Sequence, residues 1–375
     1  MVFTGAGWLE VADTAGIEAA VLPGLDPREE DDDADAGAKL SARAARMAVA
    51  LAPQLATRGI DLVVSDVITV AGLWAAELCG IPAIELSPHP LYIPSRGLPP
   101  VGAGLAPGTG WRGRLRDSAL RTASNVSVRS GQRQRAQART GIGLAAQPSG
   151  TRTRMVATLP ALEVPRPDWP RAAHLIGPLF WEPTSRELVP PSGPGPLVVV
   201  APSTAVIGAS GMLEATMTAL RAVASHRRLR VAISALHPVS EPDATDVDMP
   251  MVAGLGRQDA LLEHADLVIC GGGHGMLAKA LCAAVPVITV PGGGDQWELA
   301  NRVVRQGSGL LIRPVTAAAI EAAVTQILDD STYAEAAARA ARSAVDVVDP
   351  VTVIGDVASS AAAQGRGSEG KRGTR

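Results

Sequence analysis

Residues 266–301 read DLVICGGGHGMLAKALCAAVPVITVPGGGDQWELAN, and they contain two apolar runs that each end in glycine. Leu267–Cys270 breaks into Gly271, Gly272, Gly273, His274 and Gly275, and a helix-like segment, residues 276–284, follows at once. This spacing predicts a strand, a tight turn and a helix start. A second apolar run, residues 285–290, ends in the turn 291–294 and delivers Asp295 and Gln296 to the start of another helix. Two strand ends then present polar groups at the same edge of a parallel sheet. Backbone N–H groups in the first turn of a helix have no intrahelical partner, and the helix dipole adds about half a positive charge there. A phosphate is therefore favoured at Gly272, Gly273, His274 and Gly275. Asp295 and Gln296 supply the donors and acceptors that a polyhydroxyl ligand needs beside it. A single triple glycine is more often only a sharp turn; two such loops on one edge point to a nucleotide sugar.

Two familiar glycine fingerprints do not fit. A dinucleotide fingerprint needs glycine at its first, third and sixth positions, and counting from Gly271 puts Met276 sixth. A P-loop ends in Gly-Lys followed by Ser or Thr, whereas Lys279 lies one turn into the helix without such a neighbour. The segment instead resembles the donor-binding signature of the nucleotide-sugar-dependent glycosyltransferases with two Rossmann-like domains, the GT-B fold, and especially their bacterial natural-product branch, which is UDP-glycosyltransferase-like. Gly272, Gly273, Gly275, Ala280, Leu281, Val285, Pro286, Pro291, Asp295, Gln296, Asn301, Arg302, Val303, Gly307 and Gly309 fall in register with that signature. There are two departures: Gly271 stands where the family places a phosphate-contacting His, and Met276 where it places a Thr. His274 is the residue that can stand in for the first, as a donor to phosphate or as a packed side chain.

Composition agrees with a soluble globular protein of about two domains: 375 residues, 47% hydrophobic and 19% charged. A net charge of −3 and an aromatic content of 3% give no reason to expect nucleic acid or an anionic membrane as partner. Cys79, Cys270 and Cys282 have no CxxC spacing and sit in apolar segments, as reduced thiols do, so a cytoplasmic setting is expected. No apolar run approaches a transmembrane length, and the first residues lack a basic, apolar leader.

In chain order, strands and helices alternate, which predicts an α/β architecture of parallel sheets flanked by helices. Residues 26–35 hold seven acids and one arginine, a like-charge block that reads as a solvated loop. Asp66 ends a strand, where ligands bind in doubly wound folds, or else caps the next helix. The resemblance implies that an Asp at this position orients a histidine base, which takes the proton of the acceptor hydroxyl. In the family that histidine follows the first strand, and residues 1–16 resemble the second; the first strand, its His loop and the first helix are expected to lie before residue 1. In a 3-2-1-4-5 sheet the missing strand is central. Unpaired interior edges cost about 1–3 kcal/mol per backbone group, which argues that Met1 is not the biological start. Among the six histidines, His89 is the nearest substitute on the same domain's strand-end loops. Residues 98–117, rich in Gly and Pro, read as loop, and the arginines that follow as a solvated helix.

The expected division is an acceptor-binding domain over residues 1–182, a linker at 183–196, a donor-binding domain over 197–345, and a C-terminal segment, 346–375, disordered from Ala361. The resemblance puts Ser203 and Thr204 on the donor diphosphate, with a helix N-cap as the plainer role. It puts the nucleobase near residues 254–259, where no tryptophan is available and Arg257 or Gln258 would reach the base edge. It further implies an inverting, metal-independent transfer of a sugar from a nucleoside diphosphate, UDP or dTDP, as co-substrate rather than cofactor. The acceptor would be a small molecule, hydrophobic ones included, with reaction in the interdomain cleft. Two other readings use the same fold: a catalytically inactive nucleotide-sugar-binding or partner protein, and a nucleotide-sugar epimerase.

Overall fold

The computed structural model describes residues 1–26, 35–148, 150, 152–182, 184–203, 209–235 and 249–372. The chain opens with β1 (Val2–Thr4), α1 (Leu9–Thr14) and β2 (Ala19–Val21). It continues through α2 (Ala36–Thr57), β3 (Val63–Asp66), α3 (Ala71–Cys79), β4 (Ala83–Ser87), α4 (Gly110–Gly141), β5 (Arg154–Val156) and β6 (Ala173–Leu175). Strands β3 to β6 form one parallel sheet in sequence order, while β1 and β2 form a separate parallel pair. Among the described residues no strand joins β1 to β3. Asp35 caps α2 by accepting from the N–H groups of Gly37 and Ala38. The small side chains Ala44, Ala45 and Ala48 of α2, with Leu51 and Leu55, then pack closely on Leu73 and Trp74 of α3.

Most of the acidic block at 26–35 lies outside the described residues. The loop expected to run to residue 117 ends sooner, because α4 begins at Gly110. After Pro107 the segment contains no further proline, and its Arg and Leu residues have good helix propensity.

The second half supplies β7 (Leu197–Ala201), α5 (Met212–Ala224), β8 (Arg230–Ser234), β9 (Met251–Gly254), α6 (Gln258–Leu262), β10 (Leu267–Cys270), α7 (His274–Cys282), β11 (Val287–Thr289), α8 (Asp295–Gln306), β12 (Gly309–Leu311), α9 (Ala317–Asp329) and α10 (Thr332–Arg342). Its six strands are parallel in the order β12-β11-β10-β7-β8-β9. All residues of β7, β10 and β11 are buried, which is why they read as unbroken apolar runs. Side chains alternate between faces. Val199 and Val268 meet Leu277, Leu281 and Leu299 of α7 and α8, whereas Val198, Val200 and Ile269 meet Leu220 of α5 and Ile320 and Val324 of α9. The sheet is therefore wound on both sides, with the connections from β7 and β10 leaving to opposite faces.

The last helix, α11 (Pro350–Arg372), returns to the first sheet, where Val353 packs with Ile84, Met155 and Ile176. The backbone past Ala361, expected to be disordered from its polar composition, stays helical to Arg372. Pro350 pre-sets the first helical turn, and Ala358 and Ala361, Ala362 and Ala363 carry the propensity that prolongs it. A loop from the first half also docks on α8: the Gly104 N–H donates to Glu298 Oε2 at 2.8 Å, and Arg305 donates to the Gly104 carbonyl at 2.9 Å. Gly104 has φ +67°, and a Cβ there would lie 2.4 Å from Trp297 Nε1, so this close approach requires glycine.

Candidate active site

In an open parallel sheet, ligands bind beyond the carboxyl ends of neighbouring strands whose connections diverge. Here those strands are β7 and β10, and a cleft of about 710 Å³ lies at their ends. One wall is formed by Ala201, Pro202 and Ser203 after β7, by Gly271, Gly273, His274 and Gly275 after β10, and by Asp295 and Gln296 at the start of α8. The facing wall carries Trp8, Pro88, Ala157 and residues 178–182.

The glycines at 271–273 have distinct structural reasons. A Cβ on Gly271 would come within 2.8 Å of Ser203 Cβ, so the loops after β7 and β10 can touch only if position 271 has no side chain. Gly272 has φ +80° and turns the chain beneath Gln296, whose carbonyl would lie 3.3 Å from an added Cβ. Gly273 is the N-cap of α7, with extended backbone and open space where a side chain would be. No side chain caps α7, so its first N–H groups face the cleft without a capping partner.

His274 is the first residue of α7 and is largely buried. Its Nε2 lies 2.8 Å from Thr158 Oγ1 on the opposite half of the molecule. Burial, with the nearby His89 as a smaller contribution, lowers its pKa from 6.5 to about 4, so the ring is neutral at pH 7. Gln296, expected as a sugar ligand, is only 4% exposed. Its Oε1 accepts from the Gly292 N–H at 2.9 Å and its Nε2 donates to Ser203 Oγ at 3.1 Å, so the amide braces both loops with one donor and one lone pair to spare. Asp295 lines the cleft at the N-terminus of α8.

Gln258 also lines the cleft, donating to Ser234 Oγ at 3.2 Å and accepting from Lys279 Nζ at 3.0 Å. Lys279 is paired with Glu182 at 2.6 Å, and Glu182 also accepts from the Gln258 N–H. Arg257, expected at the nucleobase edge, instead lines a neighbouring cavity between α1 and α6. Its guanidinium forks onto Asp259, two residues on, at 2.5 and 3.0 Å, which fixes it away from the cleft and holds the Asp259 carboxyl below the usual range. Thr204 lies outside the described residues.

Asp66 is not among the residues lining the cleft. Its Oδ1 accepts from the N–H groups of Ile68 (2.6 Å) and Thr69 (2.9 Å), so it holds the turn after β3 rather than capping the next helix, whose N-cap is Val70. His89 sits beside the cleft, stacked on Tyr92 at 4.5 Å. Its Nδ1 is 2.7 Å from the Pro90 carbonyl, an acceptor-only atom, so Nδ1 is the donor in that contact. The Tyr92 hydroxyl is buried without a hydrogen-bond partner among the described residues, and burial raises its pKa.

Aromatic side chains were missed at the sequence level. Trp8, Phe180 and Trp181 line the cleft, and Trp8 and Trp181 are 6.2 Å apart between ring centroids. Trp8 and Trp181 are 173 residues apart and share no motif, so only the fold brings them together. Among the described residues, no group of three His, Cys, Asp or Glu could hold a metal ion, and no helix is long and apolar enough to cross a membrane.

Residues 248–359 match the family model described as "Erythromycin biosynthesis protein CIII-like, C-terminal domain". Over 296 residues the chain is 30% identical to a 4'-demethylrebeccamycin synthase of Lentzea aerocolonigenes, covering 74% of this chain and 69% of the relative. The fold is similar to the solved structure of the glycotransferase of kitacinnamycin, with a TM-score of 0.67 and 19% identity over 92% of this chain and 87% of that one. It is similar also to the glycosyltransferase SsfS6 of Streptomyces sp. SF2575 complexed with thymidine diphosphate, with a TM-score of 0.60 and 18% identity over 94% of this chain and 90% of that one.

Proposed function

The chain belongs to the GT-B glycosyltransferases of natural-product biosynthesis, and from that premise we propose that it moves a sugar from a nucleoside diphosphate, dTDP or UDP, to a hydroxyl of a small-molecule acceptor with inversion. The observation that carries this reading is the uncapped N-terminus of α7 beside Asp295 in one cleft. The acceptor oxygen attacks the anomeric carbon as the bond from that carbon to the diphosphate oxygen breaks, and the diphosphate leaves with the electron pair. Charge grows on the leaving group, so fixed donors aimed at it stabilise the transition state more than the ground state. The amides at the start of α7 and the neutral His274 ring are such donors, with Ser203 across the loop and Gly272 shaping it. Asp295 accepts from sugar hydroxyls, assisted by the spare capacity of Gln296. Gln258 reaches the nucleobase edge, and Phe180 and Trp181 give the base a stacking surface. SsfS6 crystallised with thymidine diphosphate supports a dTDP donor here. The acceptor proton goes to Nε2 of His89, the ring nitrogen turned away from the Pro90 carbonyl contact.

One substitution separates this reading from a merely structural loop. Gly273→Asp has room for its side chain, and Asp is a favoured N-cap, so the fold should be kept or strengthened. The same carboxylate would repel a diphosphate. Calorimetry is expected to show dTDP or UDP binding by the parent and a loss of at least about a hundredfold in the variant, the size of a charge-assisted contact replaced by repulsion. A parent that binds neither nucleotide, or a variant that binds like the parent, would refute the donor site. The engagement of Asp66 in its own turn favours a second reading, a donor-binding protein without turnover. Binding without product, and without any effect of His89→Ala, would establish it.

A further inference from the structure

Helix α4 has a chemistry that sugar transfer does not use. Its 32 residues contain eight arginines and one aspartate, a net +7 in a chain whose formal charge is −3. The inward face is tied to the rest of the first half. Buried Asp117 accepts from the Gly108 N–H and from Arg116, Arg121 donates to the Leu98 carbonyl, and Arg139 donates to Glu77 and to the Ala145 carbonyl. The outward face is not. Trp111, Leu115, Thr122 and Val126 recur at helical spacing along one line, and Trp111, Leu115 and Val126 are 70%, 62% and 73% exposed. Arg129 and Arg133 continue the same line toward the C-terminal end, Arg112 flanks it, and all three are exposed.

An exposed apolar line edged with guanidinium groups and started by an indole suits the boundary between water and lipid. There the apolar side chains enter among the acyl chains while the arginines remain at the phosphates. A negative headgroup layer is needed to complement the charge. Nucleic acid would use the arginines but leave Leu115 and Val126 without a role. We propose that the outer face of α4 rests on an anionic phospholipid bilayer, which holds the protein at a membrane surface without crossing it.

The test is co-sedimentation of the full chain with vesicles of phosphatidylcholine alone and of phosphatidylcholine mixed with phosphatidylglycerol. Partitioning onto the anionic vesicles is expected to be stronger by at least about tenfold. Two variants should each lose about that factor: Trp111→Ser with Leu115→Ser and Val126→Ser, and Arg112→Gln with Arg129→Gln and Arg133→Gln. All six positions are exposed, so circular dichroism and nucleotide binding should stay as in the parent. Failure to partition, or equal partitioning onto both vesicles, overturns the proposal. So does an apolar variant that binds anionic vesicles like the parent; retention of duplex DNA by that variant would identify a polyanion surface instead.

Discussion

His274 meets Thr158 across 116 positions of sequence, and burial holds its pKa near 4. In the unfolded chain the same ring titrates near its ordinary 6.5. Between these values the unfolded state binds more protons, so folding stability falls as pH drops from about 6.5 to about 4 and is fully present above that window. Denaturation in urea at pH 7.5 and pH 4.5 should show this loss in the parent and a smaller pH dependence in His274→Asn; equal slopes would mean that the ring is not held neutral. The sequence shows an imidazole at a helix start, but not the threonine that buries and orients it. Gly271 is a parallel case. Its lack of a side chain reads as a departure from the family, whereas the structure shows a backbone too close to Ser203 to accept one. Short-range features such as caps and turns are legible because their causes lie within a few residues. Contacts like Thr158 to His274 depend on how two sheets meet.

At the level of elements, β7, β10 and β11 are legible as unbroken apolar runs because both faces of their sheet are covered. The role of α8 is less so. Asn301, Arg302 and Val303 read as part of a donor signature, yet Arg302 is buried in an ionic cluster that joins the two halves. It pairs with Glu298 at 3.1 Å and Glu163 at 3.8 Å and donates to the Leu162 carbonyl at 2.7 Å, while Arg166 pairs with Glu163 at 3.4 Å. Removing one member of a buried cluster leaves its partners charged and desolvated, which costs about 3–5 kcal/mol. Arg302→Ala should therefore destabilise the protein by that amount in chemical denaturation. A loss under about 1 kcal/mol would mean that water reaches Glu163 and Glu298 and screens them. Arg257 went the other way: placed at a ligand edge by its position in the chain, it is held by Asp259, a partner whose reach only side-chain geometry reveals.

Across the whole molecule, composition gave a near-neutral total and so no hint of a charged surface. A sum conceals its distribution. With +7 on α4, the remaining residues carry −10. Helix α4 is about 48 Å long, several times the screening distance in physiological salt. The protein is thus a strongly polarised particle, and in dilute buffer one copy's positive end should be drawn to another's negative body. Such attraction reaches about 30 Å at 0.01 M salt and about 10 Å at 0.1 M. Light scattering should accordingly report net attraction between molecules in the first buffer and its disappearance in the second. A preparation that clouds on dialysis against water and clears when salt is returned would be showing, at the scale of a test tube, how unevenly one helix distributes the charge.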